Sequence, residues 1–214
     1  MKKIKFYYGC AIFAAFTAMV LSATSCKKTE QTVTPAPPSN EFLTTVLFQC
    51  INTNAPYDTT TSLWRDLTPN GSNPPDTSKA LLHFRKNASY KCMVFILDES
   101  GTPAAQLADT AHFNINTISP STNNVTTEIR ARQNYHLICF TMTPAALNSN
   151  LTVTRTDYDN NTPALQVGLD DNVTTLSPTA GRMEVVLHHQ PNVKNGSCEP
   201  GSIDFDVTYG VTIN

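Results

Sequence analysis

Apolar and polar residues alternate in short stretches along most of the chain, with the two-residue period of β-strands. The C-terminal stretch is the clearest, because from Ile203 to Ile213 apolar residues occupy every second position and Asp or Thr stands at most positions between them. Such alternation turns one face of a strand toward a core and the other toward water. The stretch therefore predicts a half-buried strand.

Other segments extend the same pattern over the rest of the chain. Tyr90–Leu97 is apolar on both faces after its first residues, which predicts a central strand, and we expect it to form a hairpin with Ala80–Phe84. Further strands are predicted at Phe42–Ile51, Leu63–Leu67, Val125–Ile129, Tyr135–Met142, Leu151–Thr156 and Met183–His188. No stretch after the N-terminal apolar run Phe6–Leu21 has a convincing apolar repeat of 3.6 residues. Strands separated by turn residues predict an all-β fold, an immunoglobulin-like antiparallel β-sandwich of about eight or nine strands.

The N-terminus lacks this alternation and has the layout of a secretory signal. Lys2, Lys3 and Lys5 precede the apolar run Phe6–Leu21, and four small residues then lead directly to Cys26. This order predicts a lipoprotein signal peptide over residues 1–25, with Cys26 as the lipid-attachment residue. Two alternatives are an uncleaved anchor helix, although the run is shorter than the ~20 residues a bilayer needs, and ordinary secretion with a free thiol at Cys26.

Residues 26–40 form a Pro/Thr-rich linker in this scheme, and residues 41–214 form the β-sandwich domain. Prolines at this density favour an extended spacer. A lipidated N-terminus carries more than one acyl chain, which is enough for stable anchoring, so the membrane is the first expected partner.

The net charge of the chain narrows the range of possible binding partners. The chain has 15 Lys and Arg against 17 Asp and Glu, and loss of the three signal lysines would leave 12 against 17. A mildly acidic domain lacks the basic surface that nucleic acid requires. An unknown protein or glycan is therefore the expected partner.

The histidines are not arranged in a recognisable metal or catalytic motif. His188 and His189 are adjacent, so on a strand they point to opposite faces and cannot readily share one metal ion. His83, His112 and His136 lie in separate predicted strands. Phosphate-binding loops, nucleophile elbows and zinc-protease motifs are also missing from the sequence. We therefore expect a protein that is not an enzyme and that has no cofactor and no metal site.

One acidic segment imitates the opening of a calcium loop. Asp157, Asp159 and Asn161 have the spacing of its first three ligands, but the Gly and the bidentate Glu that such a loop needs further on are missing. A cruder site that also uses Asp170 and Asp171 is an alternative to a plain polar turn.

Four cysteines remain after the signal and the lipid site are set aside. Cys50, Cys92, Cys139 and Cys198 are an even number, which in an oxidising compartment favours one or two disulfides. Three pairings are open, and the sequence does not choose among them. The first three could instead pack as free thiols within strands.

The only tryptophan, Trp64, precedes a loop rich in Pro, Gly and Asn. Its ring could stack on a sugar from the surface. The alternative is that it fills part of the sandwich core.

A series of short motifs follows the predicted strands in order. They are Glu41–Val46, Trp64–Asp66, Asn87–Tyr90, Leu97–Ser100 with Pro103, Thr126–Ile129 with His136, Asp157–Pro163 with Gly168 and Leu169, His189–Asn192, and Ile203–Tyr209. Together they resemble a family of small Bacteroidetes lipoproteins of unknown function, often labelled as type 1 periplasmic binding domain-containing proteins. That label implies two lobes of alternating strands and helices, which disagrees with the strand pattern here. The segment from Ser100 to Asn124 looks longer than the corresponding connection in the family.

The resemblance implies a location and a fold and brings no activity with it. Surface-exported lipoproteins of this group carry an acidic run beside the lipidated cysteine, whereas Cys26 is followed by Lys27, Lys28 and a single nearby acid, Glu30. We therefore expect an outer-membrane lipoprotein on the periplasmic side. Its domain would serve as a structural or protein-interaction module, or alternatively as a glycan- or nutrient-binding accessory of an uptake system.

Overall fold

Nine β-strands in two sheets form the protein in a computed structural model, which describes residues 43–68, 73–100, 107 and 124–214. The strands are β1 (Thr45–Asn52), β2 (Thr59–Arg65), β3 (Leu81–Phe84), β4 (Ser89–Leu97), β5 (His136–Thr143), β6 (Leu151–Arg155), β7 (Asp170–Thr175), β8 (Thr179–His189) and β9 (Ser202–Ile213). Two α-helices, α1 (Val125–Ala131) and α2 (Ala145–Asn150), and a 3₁₀ turn at Gln133–Tyr135 complete the described elements. The predicted signal peptide, the linker and nearly all of the segment between Ser100 and Asn124 lie outside the described residues.

The strand order confirms the predicted all-β, immunoglobulin-like sandwich. One sheet has the order β2-β1-β4-β7-β6 and the other β3-β9-β8-β5. Strands β1, β4, β7 and β6 thus follow the A-B-E-D order of an immunoglobulin domain, and β5, β8 and β9 follow its C-F-G order. Strands β2 and β3 are inserted between the first and second strands of that scheme, and β3 pairs with β9 in parallel while every other pair is antiparallel.

Two predictions about individual elements were wrong, and one strand was missed. The expected hairpin of Ala80–Phe84 with Tyr90–Leu97 does not form, because β3 and β4 belong to different sheets. Val125–Ile129 is the start of helix α1, so the chain does contain helices. Strand β7 was not predicted at all.

Helix α1 forms where a strand was expected because it covers part of the edge of β4. Strand β7 pairs only with β4 residues up to Met93, so the backbone groups farther along that edge of β4 need other partners. The Val94 N–H donates to the Leu169 carbonyl at 2.9 Å. The Ile96 N–H donates to the Thr126 hydroxyl at 2.7 Å, and that hydroxyl donates back to the Ile96 carbonyl at 3.1 Å. Val125, Thr126 and Ile129 are buried on one side of the helix. Tertiary contacts thus override the β preference of a Val-Thr-Thr sequence.

Side chains from the inner faces of both sheets form the main core. Tyr90, Tyr209 and Phe48 are its largest fully buried members. The Tyr209 hydroxyl donates to the Val46 carbonyl at 2.8 Å and so joins the two sheets. A smaller cluster on the opposite face of the five-stranded sheet contains Leu47, Leu63, Phe95 and Leu97. Strand β4 is therefore buried on both faces and lies at the centre of its sheet, as its apolar sequence predicted.

Two disulfides join the four cysteines of the domain. Cys50 and Cys92 are directly opposite each other on β1 and β4, so their bridge lies within one sheet. Cys139 on β5 is joined to Cys198, which lies in the loop before β9. In antibody domains the hallmark bridge instead connects the two sheets. No helix in the described part of the chain has the length and apolar character to cross a membrane.

Candidate functional site

Two histidines and an aspartate meet at one end of the four-stranded sheet. His136 at the start of β5 is directly opposite His189 at the end of β8, so their side chains share a face. Asp204 on β9 completes the group, and one ligand atom from each of the three lies within 4.8 Å of the others. Within the described ranges, this is the only group of three or more residues with potential metal ligands in such proximity.

A β-bulge brings Asp204 into the group. Leu187 is opposite Phe205 and the next residue, His188, is opposite Ile203, so Asp204 is an extra residue in β9. Bulges redirect a side chain that regular pairing would place elsewhere. Here the Asp204 carboxylate reaches across β8 to within 3.7 Å of the His136 Nε2 atom.

The loop before β9 fixes the position of this bulge. Gly201 has a φ of +93°, and a Cβ atom there would be 2.2 Å from the His189 carbonyl oxygen. Only glycine fits both the conformation and the approach. Gln190 is fully buried, and its side-chain amide donates to the carbonyls of Ser197 and Pro200 at 2.8 and 2.9 Å. The loop is thus closed tightly over the end of β8.

The His136 ring is held in a defined orientation. Its Nδ1 atom lies 3.0 Å from the Arg132 carbonyl oxygen. Because a carbonyl only accepts hydrogen bonds, Nδ1 carries the proton and the Nε2 lone pair faces Asp204. Burial lowers the pKa of His136 to about 4, with further lowering by His189 and by the nearby Arg132 and Lys194 charges, so the ring is neutral at physiological pH.

The His189 ring stacks on the His136 ring, with centroids 4.9 Å apart and planes inclined by 14°. The residue is only 8% exposed, and its buried Nε2 atom has no hydrogen-bond partner among the described residues. An unpaired polar atom in such a place costs free energy unless something binds it. Burial also raises the pKa of Asp204, against the lowering effect of His189, Arg132 and His188.

A buried ion pair lies beside this group. The Lys194 ammonium is 2.8 Å from the Asp159 carboxylate, and both side chains are shielded from solvent. Lys194 also donates to the Gln133 carbonyl at 2.9 Å. Asp159 accepts further hydrogen bonds from the Leu165 and Asn161 N–H groups at 2.8 and 3.0 Å. The carboxylate therefore organises the loop between β6 and β7.

The acidic segment does not bring its carboxylates together as a calcium site. Asp157 accepts the N–H groups of Gly168 and Leu169 at 2.7 and 3.0 Å, and Asp170 pairs with Arg130 at 2.8 Å. These oxygens serve the protein's own backbone and side chains, which matches the alternative of a polar turn.

Asp171 is the exception among these acids. It lies on the core face of β7, opposite Cys92 on one side and Arg155 on the other. Neither of its carboxylate oxygens has a hydrogen-bond partner among the described residues. Burial, together with the charges of Asp157 and Asp170 and against that of Arg155, raises its pKa to about 9.

A surface pocket of about 550 Å³ lies near the ion pair. Its lining residues are Asn134, Tyr135, Asn161, Thr162, Pro163, Leu165, Asn192, Lys194 and Asn195. Trp64 is elsewhere, half-buried on β2 and packed against the main core. Its position supports the interpretation that Trp64 fills part of the core.

Sequence reasoning missed the group of His136, His189 and Asp204 because its members are far apart in the chain. His188 and His189 do belong to different faces, as expected, but the partner of His189 comes from β5. A strand-pairing register for β5 and β8 would have shown it. The position of Asp204 depends on a bulge that leaves no signal in the alternation.

The chain was compared with family models, with curated proteins and with solved structures, and none of them matches it.

Proposed function

We propose that the protein is a cell-envelope lipoprotein, anchored in the outer membrane through acylated Cys26, whose β-sandwich is a structural or protein-interaction domain on the periplasmic side. It acts by presenting a rigid, cross-linked domain at the end of a linker and has no catalytic role.

The observation that carries this proposal is the pairing of all four cysteines of the domain. Cys50 is bonded to Cys92, and Cys139 to Cys198. Structural disulfides persist in compartments outside the cytoplasm. Export would bring the domain into such a compartment, so the disulfides support a signal over residues 1–25 and a lipidated Cys26. The fully buried core and the loop held by Asp159 favour a rigid scaffold over a mobile catalytic surface.

The anchor is tested by replacing Cys26 with serine and fractionating cells that express the full chain. We expect the unchanged protein in the membrane fraction and Cys26→Ser in the soluble periplasmic fraction, because the acyl chains supply the membrane affinity. Cys10→Ser is the matched control, since Cys10 lies within the signal and should not affect anchoring. A membrane-bound Cys26→Ser protein would contradict the proposal.

The alternative, a glycan- or nutrient-binding accessory, is favoured by the pocket beside Lys194. Its volume of about 550 Å³ lies in the range of ligand sites, and Asn134, Asn161, Asn192 and Asn195 are among its lining residues together with Tyr135. Amides and an aromatic ring suit the hydroxyl groups and apolar faces of sugars. Binding of soluble oligosaccharides that Tyr135→Ala abolishes would favour this alternative over the interaction module.

A further inference from the structure

We propose that His136, His189 and Asp204 bind a zinc ion, which would join β5 to β9 across β8. This site is independent of the membrane anchor and of the partner of the domain.

The donor set suits zinc. Two imidazole nitrogens and one carboxylate oxygen are ligands that Zn²⁺ accepts in proteins, with a water molecule or another group in the fourth position. Calcium and magnesium prefer sites made of oxygen atoms alone. The three residues come from three adjacent strands of one sheet, so their backbones are fixed relative to one another.

The surroundings of His136 are those of a metal ligand. Its Nδ1–H donates to the Arg132 carbonyl, which leaves Nε2 as the coordinating atom. Hydrogen bonds of this kind orient metal-bound histidines in general. The His189 Nε2 atom, buried and without a hydrogen-bond partner in the described structure, gains one when it binds the ion.

Binding requires a small rearrangement of side chains. Two ligands of a tetrahedral zinc ion lie about 3.3 Å apart, whereas the three ligand atoms here are separated by up to 4.8 Å. The nearly parallel rings must also turn, since a metal lies in the plane of each imidazole that binds it. His136 is fixed by its hydrogen bond, so His189 is the ring that turns.

The positive charges nearby are compensated. Arg132 and Lys194 both act on His136. Lys194 is paired with Asp159 at 2.8 Å and Arg132 with Glu128 at 3.3 Å. Asp204 adds a negative charge directly at the site, 3.7 Å from the His136 Nε2 atom.

Calorimetric titration of the full chain, purified in detergent without a histidine tag, with zinc chloride alone tests the proposal. We expect one equivalent of zinc to bind. Removing a group that is only hydrogen-bonded to a metal ligand lowers metal affinity roughly 10- to 100-fold. His189→Gln and His136→Gln remove a ligand itself and should lower the zinc affinity by more than that. His188→Gln is the matched control, because it changes the neighbouring residue on the other face of β8 and should leave the affinity unchanged.

Two further measurements keep the test decisive. Circular dichroism checks that each variant is folded, and Asp204→Asn, which preserves side-chain volume, replaces any histidine variant that is not. X-ray absorption at the zinc edge should show nitrogen and oxygen neighbours at about 2.0–2.1 Å. The proposal is overturned if the wild type binds no zinc, if His188→Gln weakens binding as much as His189→Gln, if calcium binds equally well, or if sulfur surrounds the ion.

Discussion

Asp159 and Asp171 are two buried carboxylates twelve residues apart in the chain, and their pKa values are shifted in opposite directions. Asp159 is 5% exposed and Asp171 is 2% exposed. Burial alone would raise both pKa values. Hydrogen bonds from Leu165, Lys194 and Asn161 outweigh it at Asp159 and hold that pKa below its ordinary value. Asp171 has no hydrogen-bond partner among the described residues, and its pKa rises to about 9.

The comparison shows that partners, and not depth, decide whether a buried acid keeps its charge. It also gives the two residues opposite effects on stability. Asp159 stabilises the folded protein at pH values above its pKa in the unfolded chain, and this stabilisation is lost as the pH falls. The stability that Asp171 contributes is fully present at pH values below its pKa in the unfolded chain. It is lost as the pH rises toward its pKa in the folded protein.

The largest loss of stability is expected from Asp159→Ala. The substitution leaves the buried Lys194 ammonium without its carboxylate partner and removes acceptors from the loop, so the free energy of unfolding should fall by about 3–5 kcal/mol. Urea unfolding at neutral pH measures this loss. Lys194→Met should cost less, because the carboxylate keeps the N–H groups of Leu165 and Asn161. A loss below about 1 kcal/mol for Asp159→Ala would show that the ion pair does not hold the loop.

Asp171→Asn should stabilise the protein, and more at pH 8 than at pH 5. The folded pKa of about 9 is above the ordinary value of 3.8, so between these values the folded protein keeps a proton that the unfolded chain releases. Its stability then declines by at most about 1.4 kcal/mol for each pH unit. Asparagine does not titrate, so the increase in the free energy of unfolding that Asp171→Asn produces should differ by about 1–3 kcal/mol between the two pH values.

Urea unfolding at both pH values checks this prediction, with Asp170→Asn as the control. Asp170 is the adjacent residue, but it is partly exposed and paired with Arg130, and its charge is the smallest of the causes that act on Asp171, so its substitution should give much less pH dependence. Arg155 and Asp157, which also act on Asp171, remain in place in both variants. Equal gains from Asp171→Asn at the two pH values would mean that its carboxyl group is ionised in the folded protein.

The smallest change in stability is expected when one member of an exposed ion pair is replaced. Arg85 and Asp58 are 3.0 Å apart, but their side chains are 56% and 37% exposed. Pairs of this kind contribute about 0–1 kcal/mol. Arg85→Met should therefore change the unfolding midpoint by little, and a loss as large as that of Asp159→Ala would erase the distinction between buried and exposed carboxylates.

The sequence was sufficient for strands whose inner face is apolar. Strands β4 and β9 were found because burial selects apolar residues at regular positions. Strand β7 was missed because its inward positions hold Asp171, Val173 and Thr175, of which only one is apolar. Its place in the sheet comes from pairing with β4 and β6, which no local pattern records.

The candidate site could not be predicted from local sequence patterns, for a related reason. His136 and His189 become neighbours only through the register of β5 with β8, and Asp204 only through the bulge in β9. The cysteine pairs depend on register in the same way, since Cys50 faces Cys92 across β1 and β4. Composition identified these residue types, and the topology brought them together.

The bridge between Cys50 and Cys92 has a mechanical consequence for a domain held by its N-terminus. If the domain is anchored as proposed, tension applied through residues 26–40 reaches the start of β1 first and would peel that strand away from β2 and β4. Cys50 lies near the far end of β1 and is bonded to the central strand of the sheet. Peeling would therefore stop at Cys50, and the load would pass to β4 at the middle of the sheet, so most of the domain would stay folded under a pull that detaches the first strand.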